Sequence, residues 1–104
     1  MENIADHLFD HRVTNLPPEV LADVLARLVW VMDDNGEAIG RALRQWFDSN
    51  DPERIEIALC FDEFFLFESR EEMIRVFSRV SLAFPEFCAR CEEVLRLWDT
   101  QNSQ

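Results

Sequence analysis

At 104 residues and 12.3 kDa the chain has the size of one ordinary domain, which excludes a two-domain enzyme and any fold of TIM-barrel size. Hydrophobic residues make up 48%, enough for a core, while two glycines and four prolines are too few for the tight turns of an all-β sandwich. Ten basic residues stand against 21 acidic ones, a formal net charge of −11, so nucleic acid and an anionic membrane would both be repelled as direct partners.

The first predicted element is a short helix from about Asn3 to His11, which needs tertiary support to persist. Thr14-Asn15-Leu16-Pro17-Pro18 reads as a stop followed by a start, since Pro is tolerated at the first helical position. A helix is expected from about Pro18 to Met32. At about 100° per residue, Val20, Leu21, Val24, Leu25, Leu28, Val29, Val31 and Met32 cover one half of its cylinder. Glu19, Asp23, Ala26 and Arg27 cover the other half, and Trp30 falls among them, away from the apolar arc.

Asp34-Asn35-Gly36-Glu37 resembles a capping box with an acid in the Ser/Thr position. It opens a helix to about Phe47, with Ala38, Ile39, Ala42, Leu43, Trp46 and Phe47 inward and Arg41 and Arg44 outward. Asp51-Pro52-Glu53 is a further start signal: a capping acid, Pro at the first position, then an acid favoured by the helix dipole. The segment after it is ambiguous. Ile55, Ile57, Leu59 and Phe61 alternate as a strand would, yet the start signal and the helical spacing of Ile55/Leu59 and Ala58/Phe61 predict a helix over Pro52 to Phe65.

Ser69-Arg70-Glu71-Glu72 is a capping box, with Ser69 as cap and Glu72 reaching back to its amide. The helix it opens, Arg70 to Phe84, is expected to bury Met73, Val76, Phe77, Val80 and Phe84. Pro85 restarts the chain into a last helix to about Asp99, facing inward with Phe87, Cys91, Val94, Leu95 and Trp98. The expected fold is therefore all-α: a compact bundle of four to five short helices. It forms a single helical domain over 1–99, with a disordered polar tail at 100–104.

No stretch approaches roughly 18 uninterrupted apolar residues, so no membrane span is expected. The acidic start, with Glu2 and Asp6 and no Arg or Lys before Arg12, lacks the pattern of a secretory leader. Three cysteines, an odd number, suggest no disulfide framework, and the cytoplasm is the expected compartment.

His7 and His11 stand four apart on one helix and Cys88 and Cys91 three apart on another, which together would make a Cys₂His₂ zinc site. Cys91 lies in the middle of its apolar stripe with Cys88 at the flank, as expected of packed thiols, so no metal ligand and no cofactor is assigned. His7-Leu8-Phe9-Asp10-His11 lacks the Glu of the zinc-protease motif, and Gly36 and Gly40 make no phosphate loop. Adjacent carboxylates splay apart on a helix and serve as solvated faces or dipole partners, so no catalytic residue is assigned either. The chain is read as non-enzymatic.

The informative residues are apolar ones in polar company. Trp30 sits beside Asp23 and Arg27, Leu82 and Leu97 lie off their stripes, and Phe61, Phe64, Phe65 and Phe67 offer more aromatic surface than one helix face can hide. The expected protein-binding set is Trp30, Asp23, Arg27, Phe61, Phe64, Phe65 and Phe67. It would occlude the interface of another protein that carries a basic or apolar groove, as anti-activators, immunity proteins and secretion chaperones do. A homodimer is expected as well. The alternatives are an acidic mimic of nucleic acid that blocks a DNA-binding protein, and a small zinc-stabilised helical protein.

Overall fold

The computed structural model describes residues 4–12, 15–34, 36–61 and 65–102. Among these the fold is all-α, with six α-helices, one 3-10 turn and no strand, against the four to five helices expected. The helices are α1 (Ile4–Asp10), α2 (Pro18–Val29), α3 (Glu37–Trp46), α4 (Pro52–Cys60), α5 (Arg70–Ala83) and α6 (Cys88–Asn102), with the 3-10 turn at Pro85–Phe87. No helix among the described residues is long and apolar enough to cross a membrane. Contacts divide the chain into two units, Met1–Leu66 and Phe67–Gln104.

In the first unit α4 packs against both α2 and α3, while α1 rests on α2 and α3. The side chain of Asp51 caps α4 by accepting from the Glu53 amide at 3.0 Å, and Pro52 takes the first position, as the sequence predicts. Ile55, Ile57, Ala58 and Leu59 are all buried. A helix covered by two neighbours is apolar on most of its sides, and this explains the strand-like alternation without a strand. The helix ends at Cys60, five residues before its predicted end. Phe61 has ψ of 121° and leaves the helix, and Phe65 is not helical.

α2 also stops early, at Val29 rather than Met32. Its buried face is Leu21, Ala22, Leu25, Ala26 and Val29. The face is therefore turned from the predicted one: Ala26 is inside, whereas Val20 and Val24 are exposed. The side of α2 that is buried is set by the helices packed against it, α4 above all, and not by hydrophobicity along the segment alone.

Gly36 closes the turn after α2. Its φ is +82°, and a Cβ placed there would lie 2.6 Å from Val29 Cγ2. Asp34 supplies the cap expected of it in a different form, from two positions before the cap residue. Gly36 is the residue at the helix boundary, while Asp34 Oδ1 accepts from the Gly36 amide at 2.9 Å and Oδ2 from the Ala38 amide at 3.0 Å. These bonds to backbone amides, that of Ala38 foremost, hold the Asp34 carboxyl below its ordinary pKa.

In the second unit Ser69 Oγ accepts from the Glu72 amide at 3.1 Å, the first half of the predicted capping box. α5 buries Met73, Val76, Phe77 and Val80 at helical spacing. Phe84, expected inside, is half-buried at the helix end, with its ring 5.8 Å from that of Phe87. The turn at Pro85–Phe87 sends α6 back along α5, so that Arg70 at the start of α5 meets Asp99 near the end of α6. The Nε and Nη2 of Arg70 lie 2.7 and 3.3 Å from the two carboxylate oxygens. This bidentate bond raises the Arg70 pKa above its already high ordinary value. α6 continues to Asn102, three residues beyond its predicted end, so Thr100, Gln101 and Asn102 are helical rather than part of a disordered tail.

Candidate protein-binding surface

Trp30 follows the last residue of α2 and retains helical backbone angles, φ −75° and ψ −15°. Its amide donates to the Arg27 carbonyl at 3.2 Å, and the Val31 amide donates to the Leu28 carbonyl at 3.0 Å. The backbone at the end of α2 is thus held while the side chains face outward. Trp30 is 76% exposed and Val31 73%. One turn earlier, Arg27 Nε lies 3.0 Å from Asp23 Oδ2, an exposed i,i+4 pair. Val20 and Val24 continue the exposed apolar surface along the helix.

Of the predicted binding residues, Trp30, Asp23 and Arg27 therefore share one exposed side of α2. The aromatic cluster does not share that character. Phe61 is 6% exposed, Phe67 is 7% exposed with its ring edge-to-face on Phe77 at 5.3 Å, and Phe65 is half-buried. Phe61 and Phe67 are core residues, not surface anchors. Phe64 lies outside the described residues. Leu82 and Leu97, read as off their stripes, are exposed.

Sequence reasoning missed Val31, Val20 and Val24, which periodicity placed inside. The buried positions that periodicity did not single out are Ala22 and Ala26, on the packed side of the helix.

His7 on α1 and His11 just after it have tilted rings with centroids 4.3 Å apart, and one nitrogen of His11 lies 2.9 Å from the His7 carbonyl oxygen. Among the described residues no group of three or more His, Cys, Asp or Glu side chains is arranged to hold a metal ion. Cys91 is buried, and loss of hydration raises its thiol pKa to about 11, opposed by a hydrogen bond with Ser81. At neutral pH this thiol is protonated, a poor nucleophile and a poor ligand.

Comparison with known family models, with curated proteins and with solved structures gives no match. Function is accordingly argued from the residues of this chain.

Proposed function

We propose that the protein is a non-enzymatic binding protein that sequesters or inhibits another protein by occluding its interface, with Trp30 as the central anchor. The observation that carries this reading is the 76% exposure of Trp30 on a well-held helix end. An indole facing solvent adds nothing to folding, whereas Trp is among the residues most enriched where binding energy concentrates. Val31, Val24 and Val20 extend the apolar contact, and Asp23 and Arg27 supply a polar rim. The partner surface this fits is an apolar recess edged with basic residues, since a chain of net charge −11 is drawn to positive potential.

Interspersed charge favours docking over imitation of a phosphate backbone. Arg12, Arg27, Arg41, Arg44, Arg54, Arg70 and Arg90 each pair with a carboxylate, and this interrupts any continuous negative stripe.

The test is affinity capture from the source cell with the wild-type chain and with Trp30→Ala, followed by titration of the recovered partner. Trp30→Ala is expected to weaken binding about thirtyfold without unfolding the chain. A partner bound equally well by both chains would overturn the assignment. A twofold dimer through the same surface is distinguished by sedimentation of the isolated protein, where Trp30→Ala would convert dimer to monomer.

A further inference from the structure

A second site lies at the opposite end of α2, about 18 Å from Trp30 at the helical rise of roughly 1.5 Å per residue. Residues 15–18 and one side of α4 border a cleft of about 540 Å3, within the size range of small-ligand sites. Leu16, Pro17, Pro18 and Ile57 form apolar walls, and Arg12, Glu53 and Glu56 contribute the charges.

Among the described lining residues the single cation, Arg12, is already engaged. One terminal nitrogen of Arg12 donates to the Phe9 carbonyl at 2.6 Å and the other to Glu53 Oε2, while the guanidinium face lies 3.7 Å from the Phe9 ring centroid. With one terminal nitrogen on Glu53 and its flat face on Phe9, Arg12 already has a partner for its charge, so the cleft offers an anion no unpaired cation among its described lining residues. Glu56, one turn beyond Glu53 on α4, is half-buried and makes no ion pair or hydrogen bond among the described residues. The Arg12–Glu53 pair cancels, so among the described lining residues Glu56 is left as one uncompensated negative charge beside hydrocarbon walls.

We infer that this cleft binds a cation carried on a short hydrocarbon stem, an alkylguanidinium or alkylammonium group, with Glu56 pairing the charged head and Leu16, Pro17, Pro18 and Ile57 covering the stem. Long basic side chains have this dual character, apolar along the stem and charged at the tip. A planar guanidinium can also engage a carboxylate through two parallel bonds. The site is separate from the Trp30 surface and does not rest on it.

The same chemistry belongs to an Arg or Lys side chain in a polypeptide and to a free small cation, and the experiment separates them. The full chain is titrated by NMR, following the methyl signals of Leu16 and Ile57. The probes are N-acetyl-arginine methylamide, N-acetyl-lysine methylamide, n-butylguanidinium and the neutral citrulline and norleucine counterparts of the capped residues. Saturable shifts are expected with the cations and not with the neutral compounds, and added salt should weaken them. Glu56→Gln is expected to weaken binding about tenfold while the melting temperature holds, and Trp30→Ala to leave it unchanged. Tighter binding of the capped residues than of n-butylguanidinium assigns the site to polypeptide side chains; equal binding assigns it to free cations. Citrulline binding as well as arginine, wild-type affinity in Glu56→Gln, or no saturation with any cation would overturn the inference. Since Trp30→Ala is silent here, failure at this cleft is distinct from failure of the partner reading.

Discussion

The indole N–H of Trp46 donates to Asp6 Oδ1 at 2.7 Å, tying α1 to the end of α3 across 40 positions of sequence. Arg54 closes the group, with Asp6, Asp10 and Asp51 at 3.9, 3.5 and 3.5 Å and the Phe9 ring centroid 4.4 Å from its guanidinium carbon. α1 has only seven residues, far below the length at which an isolated helix persists, so these contacts and the burial of Ala5 and Phe9 are what hold it. Asp6→Ala strands the N–H of a Trp that is only 3% exposed. A loss of about 1–3 kcal/mol in urea unfolding is expected, and less in Asp6→Asn, which keeps an acceptor. Wild-type stability in Asp6→Ala would show that the bond contributes nothing.

Trp30 and Trp46 make opposite predictions. Trp30→Ala is expected to change folding stability by no more than about 0.5 kcal/mol, whereas Trp46→Ala should cost about 3–5 kcal/mol through the cavity it leaves. Denaturant melts of both variants check this. A loss of about 3 kcal/mol in Trp30→Ala would place the residue in the core and remove the basis of the binding surface.

Gly36 is the position where an added methyl should be felt most. Its φ of +82° disfavours any L side chain, and the new Cβ would meet Val29 at 2.6 Å. Gly36→Ala is expected to destabilise by roughly 2 kcal/mol or more. Part of that cost should vanish in a Val29→Ala background, because the steric part is shared while the backbone part is not. A strictly additive double-mutant cycle would mean that the contact with Val29 is unimportant.

Acid should loosen the start of α3. The Asp34 pKa is lowered in the fold from its ordinary 3.8, so its cap contributes fully above that value and is lost as pH falls through the lower folded value. Wild type is therefore expected to exceed Asp34→Ala in stability at pH 6, with the gap narrowing below pH 4. Thermal melts across that range read the difference, and a gap that stays constant into acid would contradict the capping role of the charged form.

Cys91 should resist alkylation. With its pKa raised to about 11 and its side chain buried, iodoacetamide at pH 8 is expected to modify Cys88 well before Cys91, as peptide mapping by mass spectrometry would show. Modification of Cys91 first would mean that α6 opens readily.

Local signals in the sequence determined the helices and most of their starts. Asp51-Pro52-Glu53 and Ser69 to Glu72 do their work within one turn, through a side-chain oxygen and the next free amides, so no distant residue is needed to read them. The solvent position of Trp30 was legible for the same reason, since it follows from angle along a single helix. Other features depended on what packs against what. α4 ends at Cys60 and not Phe65, and Phe61 and Phe67 are core residues, because neighbours cover them and periodicity within one segment cannot record a neighbour. Val20 and Val24 are exposed while Ala22 and Ala26 are buried, an orientation set by what packs against α2. The cleft needed the most tertiary information: Glu56 acquires meaning only when Arg12, 44 positions earlier, is seen to spend its charge on Glu53 and its face on Phe9. Pairings at that separation are set by the folded chain, because many acids in this sequence are equally able to meet any one arginine.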